Sequence, residues 1–318
     1  MAINLISPDS PVKIKIVSAG SGAISTLNYL KRNIKGDIEY IAIDSDPFSL
    51  EKSTADIRIK LGSIFLKGLE YIVSPGIGFS ETIKSKNYIE EKLCHSGIIF
   101  LITCLGGKTG SGSAPVIAEI AKSLGSLVIS VVTLPFDFES IQRRKTAEKA
   151  LNEIRQKVDS LIVIQNQKII NLLSNESSLE SFRIIDRSIR NIVSALTYLI
   201  TGNSVIKINL NDIFSVFKGK PDTYIGIGLA EGENRTVNAL KYALNNFFLQ
   251  DVEPENFKNI IICIRNGGNL KMTELESATK HIYKIINPEA KFILGIQKED
   301  YLKDKIIIIL IFSGPVKF

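Results

Sequence analysis

The stretch Gly106-Gly107-Lys108-Thr109-Gly110-Ser111-Gly112 places four glycines in seven positions. The apolar run 98–103 leads into it, and a helix-like segment, 115–124, leads out. A buried strand, a glycine loop and a helix start in that order let a backbone curl closely around a ligand. Glycines remove the Cβ atoms that would block the approach. A helix N-terminus offers free N–H groups and partial positive charge, so the fitting ligand is a phosphate. The hydroxyls of Thr109 and Ser111 add donors.

The bulk numbers exclude several classes. With 318 residues, 45% hydrophobic and 23% charged, the chain can bury one large or two modest cores. The net charge of +6 comes from heavy lysine use. No basic stripe interleaved with aromatics accompanies it, so it reads as a solvated surface and not as a nucleic-acid face. Cys94, Cys104 and Cys263 lack CxxC spacing and a nearby histidine cluster, which argues against zinc sites and disulfides and for free thiols in a reducing cytosol. The longest pure apolar run, 306–312, is too short to span a bilayer, and no signal peptide is visible. A cytoplasmic protein without direct membrane insertion is expected.

Residues 1–12 read as an N-terminal arm. Strand 13–17 breaks into Gly20-Ser21-Gly22-Ala23, helix 24–32 follows, and strand 39–43 ends at Asp44-Ser45-Asp46. Residues 59–77 read as loops with turn chemistry around Ser74-Pro75-Gly76. Helix 87–94, the strand before the glycine loop, strand 127–133, helix 141–157 and strand 160–164 then alternate. Such alternation predicts a parallel sheet covered on both faces, with ligands beyond the carboxyl ends of its strands. Residues 179–201 carry apolar side chains at spacings of three and four and predict a long central helix, ended by Gly202-Asn203. Beyond it, strands at 224–228, 259–264, 291–295 and 305–312, with helices at 234–248 and 272–286, predict a second, smaller α/β domain. The expected organisation is a nucleotide-binding domain over 13–178, a central helix over 179–202 and a C-terminal assembly domain over 203–318.

Two phosphate motifs fit poorly. A Walker A loop needs glycine where Ile102 stands, and its lysine belongs in the first helical turn, whereas Lys108 reads as lying inside the glycine run. A dinucleotide fingerprint, GxGxxG, needs glycine at Ser25; with Asp44 at the second strand end it remains an alternative.

A longer match resembles FtsZ, the bacterial tubulin-like GTPase that forms the division ring. Residues 106–112, followed by Ser113-Ala114-Pro115-Val116-Ile117-Ala118-Glu119, are similar to that family's GGGTGTG loop and its AAPVVAE helix. Thr133, Pro135, Phe136, Phe138, Glu139 and Arg143 match its TxPFxFE segment and a downstream arginine. Asp159 to Ile162 and Asn166 match its next strand and loop. Gly226, Gly228, Ala230, Gly232 and Arg235 match its GxGxAxGxxR turn. The resemblance runs in order from about residue 13 to 312.

It implies a tubulin/FtsZ-like fold: a Rossmann-like parallel-sheet GTPase domain, a long central helix and a smaller α/β domain. It implies GTP/GDP and Mg²⁺ as ligands. Gly20, Ser21, Gly22, Ala23, Ile24 and Ser25, with Gly106, Gly107, Lys108, Thr109 and Gly110, would hold the phosphates. Pro135, Glu139 and Arg143 would hold the ribose end, and Asn166 the guanine. Arg187 stands where the family has its guanine-reading aspartate, with Asp186 one residue earlier. The loop 207–212 would cap the nucleotide of a neighbouring subunit, so active sites would form between subunits stacked head to tail in protofilaments. Its NxDxxD pattern aligns with Lys207, Asn209 and Asp212, leaving one acid; Asp212 and Asn209 are the catalytic candidates. Asp212 would also suit a helix N-cap before 213–217. Other division proteins would be partners and mid-cell the location. No linker or anchor-recruiting peptide is expected after residue 318. The alternative is a filament-forming or partner-binding homologue with weak or no GTPase activity.

Overall fold

A computed structural model describes residues 12–34, 36–62, 75–168, 178–201, 204–206, 208–219, 222–245 and 253–314. All but the last residue of the N-terminal arm, the Gly202-Asn203 stop and Lys207 lie outside the described residues. Contacts divide the chain into two compact units, Met1–Val193 and Ser194–Phe318.

In unit 1, β1 (Ile14–Ala19), β2 (Ile38–Asp44), β3 (Ile57–Lys60), β4 (Ile98–Cys104), β5 (Leu127–Leu134) and β6 (Ser160–Gln165) form a parallel sheet in the order β3-β2-β1-β4-β5-β6. Ile16 of β1 lies between Tyr40 and Phe100 in register. The three central strands β1, β4 and β5 are buried along nearly their whole length, as a sheet covered on both faces requires. The helices are α1 (Ser21–Asn33), α2 (Pro47–Glu51), α3 (Pro75–Lys84), α4 (Lys86–Leu93), α5 (Lys108–Ser123) and α6 (Ile141–Lys157). Val17, Ile41, Ile99 and Leu101 of the sheet share one core with Ile117 and Ile120 of α5 and Ala150 and Ile154 of α6. Each buried Ile or Leu contributes about 1.5–3 kcal/mol against the entropy of ordering the chain.

Three expectations are corrected. The segment expected as loops begins with the last two residues of β3, and Pro75-Gly76-Ile77 opens α3, because proline at a first helical position loses no hydrogen bond. The helix expected from 115 starts at Lys108, so most of the glycine run is its first turns and Lys108 stands at the first helical position. Packing explains this. A Cβ on Gly112 would lie 2.1 Å from the carbonyl oxygen of Pro75 and 2.9 Å from the amide of Phe79. The backbones of α3 and α5 touch where only glycine fits, and that contact outweighs glycine's poor helix propensity.

α7 (Ser178–Thr201) crosses the boundary between the units. Unit 2 contains β7 (Ser204–Ile206), β8 (Thr223–Ala230), β9 (Asn259–Asn266), β10 (Lys291–Lys298) and β11 (Ile306–Ser313), ordered β7-β10-β9-β11-β8. Among the described residues of this sheet only the β9–β10 pairing is parallel. Helices α8 (Leu210–Phe217), α9 (Arg235–Leu244) and α10 (Met272–Tyr283) accompany this sheet. Ala239, Leu240 and Ala243 of α9 and Ile282 of α10 join Ile260, Ile262, Ile308 and Leu310 in the core. Arg235 is buried and paired with Glu274 at 2.8 Å; it also donates to the carbonyls of Asp304 and Asn269. This arginine ties the start of α9 to the start of α10.

Candidate functional site

Parallel strands deliver all their carboxyl ends to one edge of the sheet. The chain order reverses between β1 and β4, which opens a crevice there. A cleft of about 570 Å³ occupies it, lined among others by Ser21, Asp44, Ser45, Lys108, Thr109 and Arg143. These residues stand at or just beyond the ends of β1, β2, β4 and β5. A cleft of about 650 Å³ lies between α3, α5 and α6, lined by side chains such as Phe79, Val116 and Lys149. Only the smaller cleft is lined by the glycine-capped starts of α1 and α5, at Ser21 and at Gly107 and Lys108, so the phosphate chemistry suits the smaller cleft.

Two helices begin in that cleft. The N-caps Gly20 and Gly107 make no side-chain cap to α1 and α5, which leaves first-turn N–H groups for an anion. Gly20 has φ +84°, and a Cβ there would lie 3.0 Å from the Gly110 amide. A Cβ on Gly110 would lie 2.6 Å from Thr103 Oγ1, whose hydroxyl donates to the Ala19 carbonyl. The two turns therefore touch backbone to backbone. Ser111 Oγ accepts from the Gly106 amide at 2.8 Å and fixes the entry to α5.

Side chains join the loops. Ser21 donates to Asp44 Oδ2 at 2.5 Å, and the amide of Ser45 donates to Asp44 Oδ1 at 2.7 Å. Ser45 Oγ and Thr109 Oγ1 are 2.7 Å apart. Asp44 is almost fully buried, and burial pushes its carboxyl above its ordinary value against the lowering effect of these hydrogen bonds. Lys108 is exposed in the cleft and adds a positive charge.

The remaining candidates are distributed unevenly. Glu139 pairs with Arg143 at 2.7 Å and accepts from the Phe136 amide at 2.8 Å. Pro135 and Arg143 flank Gly106, whose missing Cβ would lie 3.4 Å and 2.9 Å from their side chains. Asn166, just past β6, is buried, and its Oδ1 has no hydrogen-bond partner among the described residues. Gly22 and Ser25 are exposed on α1, whereas Ala23 and Ile24 are buried, with the Ala23 amide donating to the Gly20 carbonyl. Arg187 is exposed on α7. Asp44, Ser45 and Asp46 were legible only as acids and a hydroxyl at a strand end; their place in the cleft follows from parallel topology.

Asp212 and Asn209 belong to unit 2. The cap assignment is corrected here: Asn209, not Asp212, caps α8, its Oδ1 accepting from the Asp212 amide at 2.8 Å. Asp212 sits one turn on, its side chain partly exposed.

Comparison with known proteins places this geometry. Residues 13–174 match the Tubulin/FtsZ family GTPase domain, and residues 222–315 match the FtsZ family C-terminal domain. The chain belongs to the tubulin/FtsZ family. An empty FtsZ dimer from M. jannaschii is 30% identical with a TM-score of 0.88, covering 96% of this chain and 89% of that one. Two Haloferax volcanii proteins share the fold. CetZ1, a GDP-bound monomer, is 18% identical with a TM-score of 0.80, covering 96% and 95%. CetZ2, a GTPγS-bound protofilament, is 14% identical with a TM-score of 0.77, covering 95% and 93%.

As an FtsZ-family protein this chain is a GTP-binding, filament-forming GTPase. The cleft's chemistry fits a nucleotide's phosphates: two helix starts without side-chain caps open on it, and Asn166 Oδ1, just past β6, is an acceptor without a donor among the described residues. The family's Mg²⁺ would neutralise phosphate charge, with Asp44 and Asp46 as the acids lining the cleft. Among the described residues no helix is long and apolar enough to cross a membrane.

Proposed function

We propose that this FtsZ-family protein stacks head to tail in the cytoplasm. Hydrolysis takes place where one subunit meets the next, and the filaments serve the division ring at mid-cell together with other division proteins. One observation carries the reading. Every residue lining the cleft lies in unit 1, whereas the candidate acid Asp212 lies in unit 2 at the start of α8. A heterologous contact, in which two different surfaces of the same chain meet, leads to an open filament when it does not close into a ring.

The roles follow from chemistry. First-turn amides of α1 and α5 hold the phosphates, and Lys108 supplies charge to them. The Glu139–Arg143 pair flanks the ribose end beside Pro135. Asn166 Oδ1 accepts an N–H of the guanine, and Arg187 on α7 takes the position of the family's base-reading aspartate. Asp212 of the adjoining subunit orients and polarises the attacking water, an effect worth roughly 10²- to 10⁴-fold.

Sedimentation with Mg²⁺ and either GTP or GDP tests this reading. The expected result is pelleting with GTP alone, with phosphate release that rises steeply with protein concentration. Phosphate release strictly proportional to protein concentration, without pelleting, would overturn the interface site.

A further inference from the structure

Asp212 is held from three directions, and one holder lies far away in sequence. Asn209 Oδ1 accepts from its backbone amide at 2.8 Å. Ser215 Oγ donates to its carbonyl at 2.8 Å. The ammonium of Lys291, the first residue of β10, donates to Asp212 Oδ1 at 3.3 Å and to Ser215 Oγ at 2.7 Å. The base of Lys291 is itself fixed: its amide donates to the Lys258 carbonyl at 2.8 Å, and it pairs with Asn259 across β9. Lys291, Ser215 and Asp212 thus close a ring that joins a strand end to the first turn of a helix.

We propose that Lys291 is a positioning residue for Asp212, fixing one carboxylate oxygen so that the other is presented to the attacking water. The proposal rests on the reading of Asp212 as the interface acid.

Two physical points support it. The Lys291 side chain is 46% exposed and that of Asp212 28%, and ion pairs this accessible contribute about 0–1 kcal/mol to stability. Two hydrogen bonds from one ammonium to the same turn instead restrict rotation of the Asp212 side chain. Among the described residues Oδ2 has no hydrogen bond, while Oδ1 is engaged. The charge matters as well. A lone carboxylate brought towards a triphosphate repels it, and an ammonium about 3.3 Å away offsets that repulsion. This loop carries Asn209 where the family pattern has an acid, so Lys291 acts on the single remaining carboxylate.

The test compares Lys291→Ala, Lys291→Arg, Asp212→Asn and the double variant Lys291→Ala/Asp212→Asn in the full chain. It measures phosphate release per pelleted subunit, GTP affinity at subunit concentrations below assembly, and thermal midpoint. Lys291→Ala is expected to lower turnover per assembled subunit by roughly tenfold or more, the scale of a misplaced catalytic group. GTP affinity and thermal midpoint should stay unchanged. Lys291→Arg should restore most of the turnover, and the double variant should be no slower than Asp212→Asn alone. Ser215→Ala, which removes one of the two acceptors, should give a smaller loss. Wild-type turnover in Lys291→Ala beside a slow Asp212→Asn would overturn this inference and leave the interface reading standing. An equal fractional loss on adding Lys291→Ala to Asp212→Asn would overturn it too. Wild-type turnover in Asp212→Asn would overturn the reading beneath it.

Discussion

The hydroxyl of Ser21 donates to Asp44 Oδ2 at 2.5 Å, and through that bond the start of α1 is tied to the end of β2. Asp44 in turn anchors Ser45, whose hydroxyl meets Thr109 at the start of α5. Three loops lining the cleft are thereby one hydrogen-bonded unit. The link has an electrostatic cost, because Asp44 is buried and its carboxyl is raised above the ordinary value of 3.8. The folded state therefore holds this proton more tightly than the unfolded chain does. Stability from this residue is fully present below pH 3.8 and is lost as pH rises through the folded value. Asp44→Asn removes the titration. Its stability relative to the parent should rise with pH across that window and level off above it, as measured by urea unfolding over a pH series. A constant difference at all pH values would rule out the buried charge as the cause.

Lys108 stands at the first position of α5 with its side chain exposed in the cleft. A cation there disfavours the positive helix end on its own and is favourable only when an anion sits beside it. Lys108→Ala should therefore leave the thermal midpoint of the nucleotide-free protein unchanged or slightly higher. GTP affinity should fall by about three- to tenfold, the size of one partly screened charge pair, and the loss should shrink as salt is raised. Titration with a fluorescent GTP analogue at two ionic strengths reads this directly.

At Gly112 an added methyl would lie 2.1 Å from the Pro75 carbonyl, so helices α3 and α5 would have to separate. Gly112→Ala is expected to destabilise by about 1–3 kcal/mol, as overpacking does elsewhere. Pro75 also lines the phosphate cleft, so nucleotide affinity should fall together with the thermal midpoint. Unchanged stability would mean that this contact is looser than its geometry.

The layout of unit 1 was legible because a doubly covered parallel sheet writes its strands as long apolar runs, and residues 98–104 are such a run. A tight turn into a helix was legible from the glycines at 106 and 107. The start of α5 was not, since glycines at 110 and 112 argue locally against helix and only tertiary contacts explain them, Gly110 against Thr103 and the Ala19 carbonyl and Gly112 against the α3 backbone. The cap of α8 was ambiguous for a different reason. Asn209 and Asp212 are both good caps, and Leu210, already in the helix, decides between them through the register of the buried Ile213. The contact between Lys291 and Asp212 spans 79 residues and has no local signature at all.

Arg235 matched a turn pattern in the sequence, and in unit 2 its work is structural. Its pairing with Glu274 holds that carboxyl below its ordinary 4.5, and both side chains are largely buried. Stability from Glu274 is present above pH 4.5 and is lost as pH falls through the lower folded value. Arg235→Ala strands this carboxylate and two carbonyls, and should cost about 3–5 kcal/mol in urea unfolding at neutral pH. Pairing Arg235→Met with Glu274→Leu should cost less, because no charge is then left buried alone.

Asn166 offers the clearest separation of function from stability. Its Oδ1 is buried without a donor among the described residues, a standing penalty of roughly 1–3 kcal/mol. Replacing Asn166 with Leu removes that penalty from the empty protein and removes the acceptor for a guanine N–H from the loaded one. The variant should therefore melt slightly higher without nucleotide and bind GTP about ten- to a hundredfold more weakly, which is the same penalty expressed as affinity. Its preference for GTP over ATP should narrow, since the lost acceptor is a base contact. Paired melting curves with and without GTP, and competition by ATP, check all three. A variant less stable when empty and unaltered in base preference would show instead that Asn166 serves the strand end and not the nucleotide.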